Sequence, residues 1–394
     1  MTKFQRFFLL RFRRLSLALV CALSVVGPKA RACTIFVLTD SEHTLFFNNE
    51  DFSNAATRLW FVPGGAGFFG CTYVGFDDGW AQGGLNTQGL AFDWVAGPME
   101  NWQPDPALRR VRGNPAARML ETCVTVEDAV AFFQTHREPG FARARMLVAD
   151  RSGASAIIGA KDGQLVVQLS RESRGFGYGG RILSERLNRK PEPTIVRGME
   201  ILRACAQAGR DATKYSNAFD LRTGEIFLAP APMDGKTVRL DLNVELQKGG
   251  HFYDLPKLGV QLTGPLQPLL PNQTRFYLDR FSASPEREPA MAEQIRRVIS
   301  EAARGEMQEE NYTAEFWRQI VASQKEMRVA LGRLGELGAM TLVDRPEKDG
   351  LRSYRYVLEF SNARVLQRYD VAEQGKVAGI QTEFIELSAD FRPN

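Results

Sequence analysis

Cys33 follows the tripeptide Ala30-Arg31-Ala32, and a cysteine placed directly after a small-x-small cleavage pattern raises the prospect of chemistry at a newly made N-terminus. An α-amine titrates at about 7.7 to 8.0 and a free thiol near 8.5, so transfer of the thiol proton to the amine is nearly balanced. That is the requirement for a general base. While Ala32 is attached the same nitrogen is an amide and accepts no proton, so one cut would create both base and nucleophile. From these residues alone Cys33 reads equally well as an ordinary cysteine behind a cleavage site. A lipid anchor is the weakest option, because Arg31 sits where a small residue belongs.

Other chemistry is sparse. There is no G-x-S-x-G, H-E-x-x-H, Walker loop or paired C-x-x-C, and the three histidines are His43, His136 and His251. His43 falls in a turn and His136 at a helix end, where a structural role is expected. His251, within Gly249-Gly250-His251-Phe252-Tyr253-Asp254, is the least easily set aside. Two glycine runs, Gly65 to Gly70 and Gly175 to Gly180, match the dinucleotide spacing. That motif needs a strand feeding the glycines and a helix N-terminus following them. The first run follows Pro63 and the second leads into a polar segment, so both read as turns.

The elements that would position Cys33 begin with the leader. Residues 1–32 carry seven basic side chains, no acidic one, and an apolar run from Leu15 to Val26, the layout of a signal peptide. Its removal takes the formal net charge from +4 to −3, which gives no reason to expect a nucleic-acid partner. No later stretch is long and apolar enough to span a bilayer as a helix. The expectation is a periplasmic or secreted protein whose maturation partner is a signal peptidase. Of the five cysteines, Cys21 leaves with the leader and Cys33, Cys71, Cys123 and Cys205 remain, without zinc-site spacing. If Cys33 is reserved for chemistry, at most one disulfide can form among the other three.

Beyond Cys33, Thr34 to Leu38 and Thr44 to Asn48 read as a hairpin around Asp40-Ser41-Glu42-His43. Cys71 to Phe76 and Gly89 to Ala96 add strands. Thr125, with Asp128 three residues on, marks the start of a helix. Residues 144–170 read as three strands joined at Ser152-Gly153 and Asp162-Gly163, residues 194–209 as a helix, and 215–229 as a hairpin turning at Thr223-Gly224. Blocks of strands alternating with blocks of helices favour a layered α+β fold. Five prolines between Leu262 and Ala290 suggest a linker over 265–289, which divides the chain into 33–264 and 290–394. The second part shows helical spacing at Met291, Ile295, Val298 and Ile299, a helix from Phe316 to Leu334, and three alternating strands. Trp60, Trp80, Trp94 and Trp102 cluster in the first part, where most large aromatics are expected to be core.

Taken in order, "CTIFVLTDSEHTLFFNNEDF", "GGLNTQGLAFDW", "VADRSGASAII" and "YSNAFDLRTGEIFL" resemble the N-terminal-nucleophile hydrolases that act on linear amides. These are the choloylglycine hydrolases, the penicillin V acylases and the acyl-coenzyme A:6-aminopenicillanic acid acyltransferase type. The resemblance spans roughly Cys33 to Val260. It implies a four-layer αββα sandwich and a small-molecule acyl amide as substrate, with no metal or organic cofactor. Cys33 matches the family nucleophile and base, Asp51 the aspartate that orients the α-amine, and Asn86 the amide that donates to the oxyanion. The motif around Asp51 also contains Asn48 and Asn49. Asn48 stands where the family often has arginine, and Ser184 falls near the position of its later asparagine. Residues 290–394 resemble, loosely, the cystatin-like or nuclear-transport-factor-like α+β domains appended to exported enzymes. The expected activity is hydrolysis of a linear amide through an acyl-thioester. Acyl transfer at the same site is the first alternative, and a non-catalytic exported binding protein on a decayed scaffold the second.

Overall fold

Directly after Cys33, the continuous apolar runs Ile35 to Leu38 and Leu45 to Phe47, buried on both faces, form the hairpin of Thr34–Thr39 (β1) and Thr44–Asp51 (β2). Asp40 Oδ1 fixes its turn by accepting from the backbone N–H groups of Glu42 and His43. The computed structural model describes residues 33–394 apart from 66, 232–236, 271–272, 274–276, 346, 349–350 and 388–394. The expected leader, residues 1–32, lies outside the described residues.

Four strands follow: Thr57–Val62 (β3), Cys71–Phe76 (β4), Ala81–Asn86 (β5) and Ala91–Ala96 (β6). Then come the helices Pro115–Thr122 (α1) and Val126–Thr135 (α2). Asn114 caps α1 through its side chain and Thr125 with Asp128 caps α2 reciprocally, satisfying N–H groups that a helix start leaves open. The chain continues through Ala144–Ala149 (β7), Ser155–Lys161 (β8), Gln164–Ser170 (β9) and Arg174–Gly177 (β10). Helices Gly180–Asn188 (α3) and Ile195–Ala204 (α4) lead to Thr213–Asp220 (β11), Glu225–Pro230 (β12) and Val238–Asp241 (β13). Leu242–Gln247 (α5), His251–Asp254 (β14), Leu258–Gln261 (α6) and Gln267–Pro268 (β15) complete this part.

These strands make two antiparallel sheets, one ordered β10-β1-β2-β11-β12-β13 and the other β15-β14-β3-β4-β5-β6-β7-β8-β9. Because strand side chains alternate between faces, each sheet feeds two apolar layers. Ile35, Val37, Phe46 and Phe219 of the first sheet meet Leu59, Phe61, Leu85 and Leu147 of the second. On the first sheet's other face, Phe36 and Phe47 pack against Leu183 of α3 and Leu202 of α4. On the second sheet's other face, Phe92, Met146 and Ile158 pack against Met119 of α1 and Phe133 of α2. Each fully buried side chain of this size contributes about 1.5–3 kcal/mol relative to exposure. The intersheet layer is therefore held firmly around the end where Cys33 sits.

Gly177 shows why the second glycine run is not a nucleotide loop. It ends β10 opposite Thr34, at φ +129°, and a Cβ there would fall 2.0 Å from the Cys33 carbonyl oxygen. The run is a close-packed strand with a helix, α3, starting at Gly180, where a polar loop was expected. Its glycines clasp the Cys33 backbone, and Tyr178 N–H donates to Cys33 O at 3.0 Å.

The C-terminal part holds Pro289–Arg304 (α7), Ala314–Ile320 (α8) and Gln324–Leu334 (α9), followed by Leu337–Asp344 (β16), Glu347–Lys348 (β17), Leu351–Phe360 (β18), Ala363–Val371 (β19) and Val377–Leu387 (β20). Its antiparallel sheet runs β16-β18-β19-β20, with β17 on β18. Pro289 opens α7 and Gly305 at φ +76° closes it, the favoured asymmetry for a helix. The helix expected over Phe316 to Leu334 is broken by a 3-10 turn at Val321–Ser323. The proline-rich stretch is not a free connector: Gln267–Pro268 pairs with β14, Leu269 and Leu270 join the α1/α2 layer, and Leu278 packs with Val357 and Leu366 of the C-terminal sheet. Among the described residues no helix is long and apolar enough to cross a membrane.

Candidate functional site

The β1–β2 register pairs Thr34 with Asn49, so Cys33, one residue earlier, falls opposite Glu50. Cys33 Sγ lies 3.3 Å from Glu50 Oε1 and 4.0 Å from the Asp51 carbonyl oxygen. Along β2, Leu45 and Phe47 face α3 and α4 while Phe46 faces the other sheet. By the same alternation Asn48 and Glu50 point between the sheets. Tyr215 on β11 donates through its hydroxyl to Glu50 Oε2 at 3.3 Å, and Asn48 Nδ2 donates to Asn217 Oδ1 at 3.3 Å. From the second sheet, Asp93 on β6 lies between Ala91 and Val95, both of which face this layer. Its Oδ1 accepts from the Trp94 N–H at 2.7 Å.

Cys33, Glu50, Asp93 and Tyr215 thus form one buried cluster of titratable groups. Burial pushes the Glu50 and Asp93 carboxyls up, and the negative charge of Glu50 adds to the rise at Asp93. The Cys33 thiol is pushed well above its ordinary range, first by burial and then by Glu50. The Asp51 carboxyl is raised to about 7 by burial, although Thr213 donates to its Oδ1 at 2.5 Å. Its Oδ2 is buried and has no hydrogen-bond partner among the described residues.

A cavity of about 900 Å³ opens onto this cluster, and Cys33, Glu50 and Asp51 line it. Phe52, Phe76, Trp80 and Trp94 supply an aromatic wall, and Arg110, Arg137 and Arg143 a basic one. Arg137 is tied to the Leu108 and Pro106 carbonyls, while Arg110 and Arg143 make no side-chain hydrogen bond or ion pair among the described residues. Of the clustered tryptophans, Trp60 is core and Trp94 and Trp102 pack against the same α1/α2 layer, as expected for most of them, while Trp80 and one side of Trp94 line the cavity.

The other expected site residues are dispersed. Asn86 does not face Cys33. Its neighbour Leu85 takes the intersheet face, and Asn86 turns the other way, donating to Leu120 O at 2.7 Å and Cys123 O at 2.9 Å. Its Oδ1 accepts from the Gln88 and Leu90 N–H groups. Every polar group of its carboxamide is spent closing the end of α1 and the 86–90 turn, which leaves nothing for an oxyanion. Asn49 likewise points outward, between Leu202 O and the Ser216 hydroxyl. Ser184 is exposed on α3, whose only buried side chain is Leu183, and is not part of the cavity wall. Neither Arg58 nor Arg181 stands in for the arginine missing at Asn48: Arg58 pairs with Asp254, and Arg181 lies on the surface beside Glu185. His251 is buried against Glu245 Oε2 at 3.0 Å, a structural pairing within the β14 region. Cys33, Cys71, Cys123 and Cys205 are all buried, and no disulfide joins any two of them.

Sequence reasoning missed Glu50, Asp93 and Tyr215. Glu50 carried a usable signal, since it alternates with Asn48 on the face that Cys33 shares; Asp93 and Tyr215 reach the cluster only through sheet stacking.

By sequence, no family model and no curated protein matches the chain. In structure it is similar to penicillin V acylase from Agrobacterium tumefaciens, at 16% identity and a TM-score of 0.48, over 56% of this chain and 91% of that one. It is also similar to a mutant conjugated bile acid hydrolase from Clostridium perfringens, at 13% identity and a TM-score of 0.45, over 56% of this chain and 95% of that one.

Proposed function

We propose that the protein is an exported amidohydrolase that cleaves a linear acyl amide through Cys33, after removal of residues 1–32 has freed its α-amine. The observation that carries this reading is the placement of the Cys33 thiol at the wall of the 900 Å³ cavity with Asp51 beside it. The buried Asp51 Oδ2, which has no hydrogen-bond partner among the described residues, suits an ammonium group, and Thr213 keeps that carboxylate oriented.

In this mechanism the α-amine takes the thiol proton and Cys33 Sγ attacks the amide carbonyl. The ammonium then returns the proton to the leaving amine. Water, deprotonated by the same amine, cleaves the thioester and releases the acid. With Asn86 engaged elsewhere, the oxyanion donor is assigned to the cavity wall, where Gln82 has a carboxamide with no hydrogen bond among the described residues. A fixed donor at that point is worth about 3 kcal/mol of transition-state stabilisation. The aromatic wall suits an apolar acyl group, and Arg110 with Arg143 suits an anionic group at the other end of the substrate.

The competing reading is a binding protein on the same scaffold. It draws on one observation, that the groups nearest Cys33 are carboxyls rather than a cation, which disfavours the thiolate. Intact mass of the exported chain, followed by a screen of N-acyl amides with the wild type and Cys33→Ala, separates the two. A chain starting at unmodified Cys33 whose amide cleavage disappears in Cys33→Ala supports the hydrolase. Equal turnover by both, or none by either across the screen, removes it.

A further inference from the structure

Two hollows share a wall. Arg110 and Val111 line the Cys33 cavity, and the same two residues line a cleft of about 690 Å³ whose far side is Asp279, Phe281 and Arg364. The span 110–113 is therefore a partition, with the Cys33 cavity on one side and the C-terminal part on the other. Both its ends are tied down. The Arg109 N–H donates to Thr135 O at 3.0 Å and its carbonyl accepts from the Arg137 N–H at 2.9 Å, while Asn114 caps α1 and donates to Ala81 O at 2.9 Å. Between those anchors Arg110, Val111 and Gly113 make no backbone hydrogen bond among the described residues. Side chains therefore decide where the span rests. Val111 packs on the α1/α2 layer, and Arg112 Nη1 lies 3.1 Å from Asp279 Oδ2.

Asp279 is the fixed member of that pair, its side chain 15% exposed against 68% for Arg112. It lies in the 3-10 turn Tyr277–Arg280, next to Leu278, which is buried against Val357 and Leu366 of the C-terminal sheet. Arg364 of β19 pairs with its other oxygen, Oδ1, and with Glu359 and Glu386 besides. Holding a long side chain and an unbonded span in one place costs conformational entropy, and the seated carboxylate offsets that cost. An ion pair with one exposed partner is a modest tie. Its effect belongs in the shape and charge of the cavity wall rather than in the stability of the fold.

We infer that Asp279 is a positioning residue for the Cys33 cavity: through Arg112 it holds the span 110–113 in the wall and keeps Arg110 where an anionic group of the substrate is received. The C-terminal part, through the turn that carries Asp279, thereby completes a site built by the first part. This rests on the proposed reading of the cavity as the substrate site, and not on turnover at Cys33.

The test reads charge selection at Cys33. Alkylation of Cys33 in the full chain by anionic iodoacetate and by neutral iodoacetamide is followed by peptide mass at pH 8 and about 10 mM salt, where the Debye length is about 30 Å. Arg110→Ala is expected to lower the iodoacetate-to-iodoacetamide rate ratio about fivefold, and Asp279→Ala about threefold. The sign is the informative part. Removing a carboxylate without moving the wall would raise the ratio, because one negative charge fewer repels the anion. In the Arg112→Ala background, Asp279→Ala is expected to bring no further fall, as for two residues acting in series. If Asp279→Ala does not fold, Asp279→Asn keeps the volume, loses the charge and is read in the same way. The Phe68–Phe281 ring contact, at 6.4 Å between centroids, stays in place in either variant. Where a wild-type amidase activity is found, Asp279→Ala is also expected to raise KM about threefold for acyl amides whose amine carries a carboxylate, with kcat moved less than about twofold. If the wild type cleaves no amide, the proposed function fails while the alkylation ratio still decides this inference. A ratio unchanged or raised in folded Asp279→Ala overturns it, as does an equal fall in the Arg112→Ala background or no effect of Arg110→Ala. A Cys33 that neither reagent reaches would show the cavity closed to ligands and overturn it as well.

Discussion

Cys33 Sγ and Glu50 Oε1 are 3.3 Å apart in a buried layer that also holds a second carboxyl, Asp93. An ionised Glu50 opposes the thiolate, so replacing it with a neutral isostere lowers the thiol pKa. Glu50→Gln is expected to raise the rate of Cys33 alkylation by iodoacetamide at pH 8 by about threefold to tenfold, one pKa unit being a factor of ten in thiolate. A slower reaction would assign Glu50 the opposite role, that of proton acceptor for the thiol.

The same carboxyls make stability depend on pH in an unusual direction. Glu50, Asp93 and Glu138 are all raised by burial, Glu138 to about 7. For Glu50 and Glu138, both raised to about 7, the folded chain therefore holds protons between about pH 4 and pH 7 that the unfolded chain releases. Their stabilising contribution is complete below that window and is lost as pH rises through it. The melting temperature is expected to be higher at pH 5 than at pH 8. Glu138→Gln should flatten the difference and raise the pH 8 value, by removing a buried charge that costs about 1–3 kcal/mol. A profile that rises from pH 5 to pH 8 in the wild type would show that these acids ionise freely in the fold.

The parts of this architecture that were legible in the sequence are local ones. The β1–β2 hairpin and the Thr125–Asp128 cap of α2 are each written in one short continuous stretch of sequence, and turn and cap chemistry acts over that range. The cluster at Cys33 is not local. Tyr215 meets Glu50 from 165 positions away, and only the stacking of two sheets brings Asp93 beside them. Asn86 shows the limit of motif reading: its spacing to Cys33 says nothing about which face of β5 it takes, and Leu85 already occupies the intersheet face. Ser184 fails for a related reason, since the glycine-rich strand before it turns into α3 and carries it to the surface.

Asn86 gives the third prediction. Asn86→Leu would leave the Leu120 and Cys123 carbonyls and two backbone N–H groups without their partner. The expected loss is about 2–4 kcal/mol of stability, read by urea denaturation, with kcat of the folded fraction within about twofold of wild type. A hundredfold fall in kcat with unchanged stability would return Asn86 to the oxyanion.

Gly83 on β5 supplies the most local test of how the second sheet sets the site. A Cβ at this position would fall 2.1 Å from Asp93 Oδ2 and 3.0 Å from the Phe92 carbonyl oxygen. Gly83→Ala therefore drives the Asp93 carboxyl from its place, and overpacking of this kind costs about 1–3 kcal/mol. Most of the clash is with the carboxyl, so Asp93→Ala should make room for the new methyl group. In a double-mutant cycle the two substitutions are expected to couple by at least about 1 kcal/mol, with Gly83→Ala nearly neutral in the Asp93→Ala background. Strict additivity would mean that the strand backbone, rather than Asp93, excludes a side chain here, and the close seating of Asp93 over β5 would lose its support.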